Sequence, residues 1–235
     1  MALLSDEEQN LRLMKGLDNY SKWQFEKISP FIRGDVLEIG GGAGAMSELV
    51  MGHPDVKSYS VTEINKNNIE LLKNSKVGLC KIISEANLEK FIPEGFENSF
   101  DAVLSVNVFE HVKDDDSIFR NSCKCLKKGG RLILFVPAMH SLFGVVDEAD
   151  NHYRRYEKSD LLSLAEGNGL SIKRIEYMNI FGALGWFYQG KITKSRVHNN
   201  QELSLFNKLV PLLKKTEKIL PLPFGLSLIF VGEKQ

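Results

Sequence analysis

Glu38 is the first residue of this chain placed to do chemistry, in the stretch Val36-Leu37-Glu38-Ile39-Gly40-Gly41-Gly42-Ala43-Gly44-Ala45. A short apolar run, interrupted by one acid, ends in a cluster of glycines. Glycines after a buried strand let the chain turn sharply and let a ligand approach the bare backbone. A helix is expected to begin in 46–51, and helix N-termini favour negative ligand groups. Strand, glycine turn and helix make the first half of a nucleotide-type site, and Gly40, Gly42 and Ala45 satisfy the loose dinucleotide spacing. Glu63 closes a second apolar run about 20 residues further on, where a ribose is usually held. Its two oxygens suit two hydroxyl donors. His111 and His152 carry imidazoles that titrate near neutrality, so they are candidate proton acceptors. Arg154 and Arg155 carry planar forks that grip a carboxylate or phosphate at two points.

The spacing E-x-G-x-G-x-G formed by Glu38, Gly40, Gly42 and Gly44 resembles the first motif of the class I S-adenosylmethionine-dependent methyltransferases. That resemblance implies S-adenosylmethionine as cofactor, whose positive groups suit a carboxylate beside the loop. Asn107-Val108-Phe109-Glu110-His111-Val112 resembles the N-x-x-E-H-V form at the tip of the fourth strand in small-molecule members, which implies Asn107 near the transferred methyl group. An acid after the third strand commonly accepts from the adenine amino group in the family; Glu85 is the candidate, with Asn87 as the competing one. Beyond Pro137, Phe143-Gly144 precedes Asp147-Glu148, and His152-Tyr153-Arg154-Arg155-Tyr156 follows. These resemble a bacterial methyltransferase subgroup, over residues 34–234. Its members often lie beside glycosyltransferases, which implies a glycan, lipid-linked or other small-molecule acceptor. Tyr153, Arg154, Arg155 and Tyr156 are the candidate substrate contacts. The bland alternative for the same stretch is a surface turn whose arginines pair with Asp147, Glu148 or Asp150.

These residues need a scaffold. The expected fold is α/β: a Rossmann-like, doubly wound sheet of seven strands with the last antiparallel, and helical N-terminal and C-terminal cap segments. The expected divisions are 1–33 (N-terminal helices), 34–179 (cofactor-binding core), 180–223 (helical cap) and 224–235 (closing strand). Ser5 and Glu8 have capping-box spacing at the head of helices expected over 5–29. Strands are expected at 58–62, 77–83 (with Cys80 inside it), from Phe100, at 131–137, 170–177 and 226–231, with helices over 65–74, from Asp114 to Leu126, and over 159–165. Lys127-Lys128-Gly129-Gly130 reads as a helix stop. Leu203, Phe206, Leu209, Val210, Leu212 and Leu213 fall at helical spacing with Lys208, Lys214, Lys215 and Lys218 among them. That helix has three readings: a lid over the pocket, a membrane-surface helix reaching a lipid substrate, or a helix packed on the sheet edge.

Composition bounds the partners. The chain of 235 residues suits one α/β domain with a cap. Thirty basic and 30 acidic residues cancel, so there is no bulk pull toward nucleic acid. Cys80, Cys123 and Cys125 form no disulfide framework and no paired zinc spacing, so no metal is expected and a reducing compartment is. The N-terminal residues lack a secretory pattern and no uncharged run is long enough to span a bilayer, which gives a cytoplasmic expectation. The expected reaction is in-line attack by an O, N or C nucleophile on the methyl of S-adenosylmethionine. Two rivals stand beside it. An NAD-dependent dehydrogenase shares the glycine turn and Glu63 but does not explain Glu38 or the Asn107 strand tip. A non-catalytic cofactor-binding partner of a glycosyltransferase would keep the same cofactor positions.

Overall fold

In the fifth strand, Leu132, Leu134 and Val136 face one core cluster while Ile133 and Phe135 face another, and all are buried. That alternation, with apolar residues on both faces, marks a strand covered by helices on both sides. The computed structural model describes residues 13, 16–84, 86–196, 199–219 and 223–235. Its strands are β1 (Gly34–Ile39), β2 (Val56–Glu63), β3 (Lys81–Ser84), β4 (Phe100–Val106), β5 (Leu126–Pro137), β6 (Leu170–Met178) and β7 (Ser227–Lys234). They form one sheet of seven strands in the order β3-β2-β1-β4-β5-β7-β6. β7 runs antiparallel to both β5 and β6, while β1 to β5 pair in parallel. The doubly wound sheet with a reversed last strand is the one the sequence leads to.

Helices α1 (Asp18–Ile28), α2 (Ala45–Met51) and α3 (Lys66–Lys73) cover one face, through Trp23, Met46, Val50 and Leu72. Helices α4 (Asp115–Cys125) and α6 (Lys158–Gly167) cover the other, through Phe119, Cys123, Leu161 and Ala165. Between these two, α5 (Val145–Ala149) carries Asp147. Helix α7 (Ile180–Phe187) runs on into a π-helical turn, Tyr188–Thr193, and α8 is Asn200–Ile219. Among the described residues no helix is long and apolar enough to cross a membrane.

Several boundaries differ from the sequence reading. The third strand was expected over 77–83, but Lys76–Leu79 is a 3-10 turn and only Lys81–Ser84 is strand. Ser75 holds that turn by accepting from the Val77 amide at 3.1 Å. Gly78 lies so close to Lys73 that an added Cβ would stand 2.3 Å from its carbonyl oxygen. Cys80 therefore precedes the strand. Residues 127–130 do not simply stop a helix: Leu126 already pairs with Phe100, Arg131 pairs with Ala102, and the residues between bulge from the ladder. From that bulge Lys127 bridges Asp35 at 2.7 Å and Asp101 at 2.8 Å. The capping box at Ser5 and Glu8 lies outside the described residues. The inner face of α8, through Phe206 and Val210, joins the core cluster that holds Tyr20 and Trp23 of α1, which is the packed reading of that helix. Among the described residues of 180–219, none lines the cavity at the carboxyl ends of β1, β2 and β4.

Candidate active site

The cavity opens at the carboxyl ends of β1, β2 and β4, where the strand order reverses. It encloses about 450 Å³. Ligands of open α/β sheets bind at that reversal because both flanking loops turn away from it. Gly40, Gly42 and Gly44 all line or shape it in the left-handed region, with φ of 73°, 52° and 87°. Side chains rarely adopt such angles, so the glycines are conformational requirements. Nothing lies within 4 Å of where a Gly42 Cβ would stand, so its bare backbone faces open space. Gly41 was missed as a site residue. An added Cβ there would meet Val61 Cγ2 at 2.5 Å, so the turn is pressed onto β2.

Glu38 is 1% exposed and lines the cavity. It accepts from Ser47 Oγ at 2.7 Å and from the Tyr59 hydroxyl, and both bonds end on Oε2, leaving Oε1 without one. Burial pushes its carboxyl up to about 7, outweighing those hydrogen bonds. Glu63 also lines the cavity. It accepts from Gly42 N on Oε2 and from Ile64 N and Asn65 N on Oε1, each at 2.8 Å. It thus ties the glycine turn to β2, with both lone pairs of Oε1 taken and one lone pair of Oε2 left for a ligand hydroxyl. Asn107 sits exposed at the tip of β4 with φ of 52°, an angle asparagine tolerates. Its backbone is fixed by the 2.8 Å bond to Phe135 O, and the residue lines the cavity. Glu85 lies outside the described residues; Asn87, the competing choice, lines the cavity beside Ala86 and Leu88.

Behind the cavity lies a buried ionic cluster. His111 lines the cavity, and its ring meets that of His152 edge-on at 4.7 Å between centroids. Burial, with the neighbouring His152, pushes His111 down to about 4, so it is neutral at physiological pH. His152 does not line the cavity. Burial disfavours its charge, but the 2.9 Å contact of Nδ1 with Asp147 and the nearby Glu110 raise it above the ordinary imidazole value. Glu110 is buried, Oε2 has no hydrogen-bond partner, and burial pushes it up to about 7. Glu110, His111 and His152 bring ligand atoms within 4.8 Å of one another, a set able to share a proton or hold a cation.

The structure separates the other motif residues. Arg155 is 1% exposed, bonds Asp147 through Nε at 2.8 Å and stacks over Trp186 at 4.5 Å. Tyr156 is buried and donates toward Phe109 O and Asp115. Both are committed within the protein, so neither is an open substrate contact; the reading that pairs these arginines with Asp147 describes Arg155. Arg154 pairs with Asp115 and donates to Lys113 O, and Tyr153 is 58% exposed. None of the four lines the cavity at the glycine turn; Arg154, Arg155 and Tyr156 border a separate cavity of about 460 Å³ beside His140 and Asp160. Tyr20, Ser21 and Gln24 of α1 form part of the wall of the cavity at the glycine turn. Gln24 is buried, at 5% exposure, and its spacing on α1 beside Tyr20 is the only sequence signal it gives.

This strand order, with a glycine turn after β1 and an acid ending β2, is a Rossmann-like, doubly wound architecture. Residues 37–134 match the model of the methyltransferase domain family. Over 162 residues the chain is 27% identical to the ubiquinone biosynthesis O-methyltransferase of Pelagibacter ubique, covering 61% of this chain and 64% of that protein. The human mitochondrial ubiquinone biosynthesis O-methyltransferase is 24% identical over 163 residues, 62% of this chain and 44% of that one. The chain thus spans less than two thirds of the length of these relatives. A solved S-adenosylmethionine-dependent methyltransferase of Archaeoglobus fulgidus superposes with a TM-score of 0.63 at 16% identity, over 92% of this chain and 94% of that one. Phosphoethanolamine N-methyltransferase 2 of Haemonchus contortus, solved with S-adenosylmethionine, gives 0.61 at 18%, over 92% of this chain and 52% of that one. The last two likenesses are of fold. The fold is thus shared with solved methyltransferases, and residues 37–134 are the stretch that matches the methyltransferase domain model.

Proposed function

We propose that this chain transfers the methyl group of S-adenosylmethionine to a small-molecule, glycan or lipid-linked acceptor. The observation that carries the reading is Glu38. A buried carboxylate with one unbonded oxygen beside a glycine turn suits a ligand with a cationic amino-acid end and offers nothing to a pyrophosphate. Glu63 Oε2 keeps an acceptor for a ribose hydroxyl, and Asn87 and Leu88 line the same cavity, where they suit an adenine. S-adenosylmethionine, when bound, supplies a methyl already activated by its sulfonium. The protein then has to orient the acceptor and exclude water, which can supply roughly 7–11 kcal/mol of a barrier. Asn107 and Gln24, which both line the cavity, are polar groups suited to positioning the acceptor. A hydroxyl or amine acceptor would pass its proton toward the neutral ring of His111, with the Glu110 carboxyl beside it as the group able to take the proton up. The relatives' O-methyltransferase names favour an oxygen acceptor. Arg154 and Tyr153, the two members of the His152–Tyr156 stretch that reach the surface, suit an anionic or glycan portion of it. The subgroup resemblance of that stretch points the same way.

Calorimetric titration with S-adenosylmethionine, S-adenosylhomocysteine and NAD in parallel tests this. Micromolar binding of the first two without NAD is expected. Binding of NAD alone would make Glu63 a dehydrogenase ribose ligand and overturn the reading. Cofactor binding without product from any acceptor extract would favour the non-catalytic partner of a glycosyltransferase.

A further inference from the structure

Helix α7 is almost wholly apolar in sequence, yet Ala183 is its only buried residue. Phe181, Leu184 and Phe187 are exposed, and so are Tyr188 and Ile192 of the π-helical turn, Ile192 at 60%. An apolar helix open to water on several sides marks an interaction surface. Residues 180–196 contain no acid, and Lys191, Lys194 and Arg196 follow the apolar part. Helix α8 repeats the pattern. Its inner stripe packs on α1, but Leu205, Leu209 and Leu212 are exposed on the outside, at helical spacing. Lys208 and Lys215 are interleaved with them and exposed, whereas Lys214 turns inward to Glu26.

We propose that the outer faces of α7 and α8 dock on an anionic lipid bilayer. Aromatic and aliphatic side chains fringed by cations suit the boundary between acyl chains and negative headgroups. A second copy of the chain fits less well. A twofold contact would set the patch against itself, so lysines would meet lysines. The docked helix connects to the cavity through named contacts. Trp186 of α7 donates to Asp147 at 3.2 Å, Asp147 holds His152, and His152 backs His111. A membrane-held acceptor would therefore approach beside the histidine pair. This goes beyond the methyltransferase reading and does not depend on it.

The test is flotation of the full chain with vesicles of phosphatidylglycerol and phosphatidylcholine, and of phosphatidylcholine alone, at low and high salt. Flotation with the anionic vesicles at low salt is expected, weakened by salt and by the neutral composition. Phe181→Ser with Leu184→Ser, and separately Lys208→Glu with Lys215→Glu, should each lower the bound fraction about tenfold. S-adenosylmethionine titration of each variant checks that it is folded; loss of that binding in the unaltered chain would count against the methyltransferase reading alone. Absence of flotation at low salt, or flotation unmoved by both double variants, overturns the proposal. So does light scattering that shows a dimer dissociated by Phe181→Ser with Leu184→Ser, because the face would then belong to a second copy.

Discussion

A carboxylate that burial holds near neutrality is a poor resident of an empty cleft and a good ligand for a cation. Glu38 is pushed up to about 7, so free protein near that pH carries a mixture of both forms. In the free protein its contribution to stability is full below the ordinary value of 4.5 and is lost as pH rises through about 7, because the raised group prefers its proton. Ligand binding reverses the preference: an ammonium beside Oε1 favours the carboxylate, so binding must first release the proton. Affinity for S-adenosylmethionine should rise with pH by up to about tenfold per unit below the Glu38 midpoint and level off above it. Titrations across that range should show the slope, and Glu38→Gln should flatten it while weakening binding. An equal slope in the variant would remove Glu38 from the cofactor. At this scale much was legible. Glu38, Glu63 and the three positive-φ glycines stand out by type and spacing; Glu38, Glu63, Gly40 and Gly42 line the cavity, and Gly44 caps the helix that follows. The fates of His152 and Arg155 were not legible, because the pattern His152 to Tyr156 shows charge but not direction. Only Asp147, buried at the centre of both ion pairs, turns them inward.

At the scale of elements, the glycine turn carries a constraint that its motif letters do not record. Gly40, Gly42 and Gly44 need their backbone angles; Gly41 needs space. Gly41→Ala would place a methyl against Val61 Cγ2, an overpacking that typically costs about 1–3 kcal/mol. Val61→Ala makes a cavity of its own in β2 but removes the obstructing methyls. The double variant should therefore lose less stability in urea than the sum of the two single losses, with a coupling of at least about 0.5 kcal/mol. Strict additivity would mean that the turn moves away from β2 instead. Strand centres were legible from apolar runs, because β1, β4 and β5 are buried on both faces. Strand ends were not: the turn at 76–79 rests on the local bond from Val77 to Ser75 and on contact with Lys73, and the bulge at 127–130 depends on Phe100, a residue brought close by the fold.

For the molecule as a whole, the two ends of the chain close on each other over the cavity wall. Asn207 of α8 accepts from the Tyr20 amide at 3.1 Å, one of the first-turn donors that α1 leaves without a partner of its own. Glu217, further along α8, accepts from the Asn179 and Ile180 amides at the head of α7. One late helix thus caps both the wall that carries Tyr20, Ser21 and Gln24 and the helix that carries Trp186. Nothing local in the sequence marks Asn207 as a cap, since it lies in the middle of a helix and 187 residues from the amide it serves. Asn207→Leu keeps the helical position and the apolar packing near Phe206 but strands the Tyr20 donor. The loss expected of a missing cap is about 0.5–2 kcal/mol. Because α1 forms part of the cavity wall, the same change should raise the S-adenosylmethionine dissociation constant a few-fold and speed amide exchange in 18–24 more than in β4 or β5. Asn207→Asp keeps the acceptor and should restore both. If Asn207→Leu loosened β4 and β5 as much as α1, Asn207 would be a general core residue rather than the clasp between the two ends.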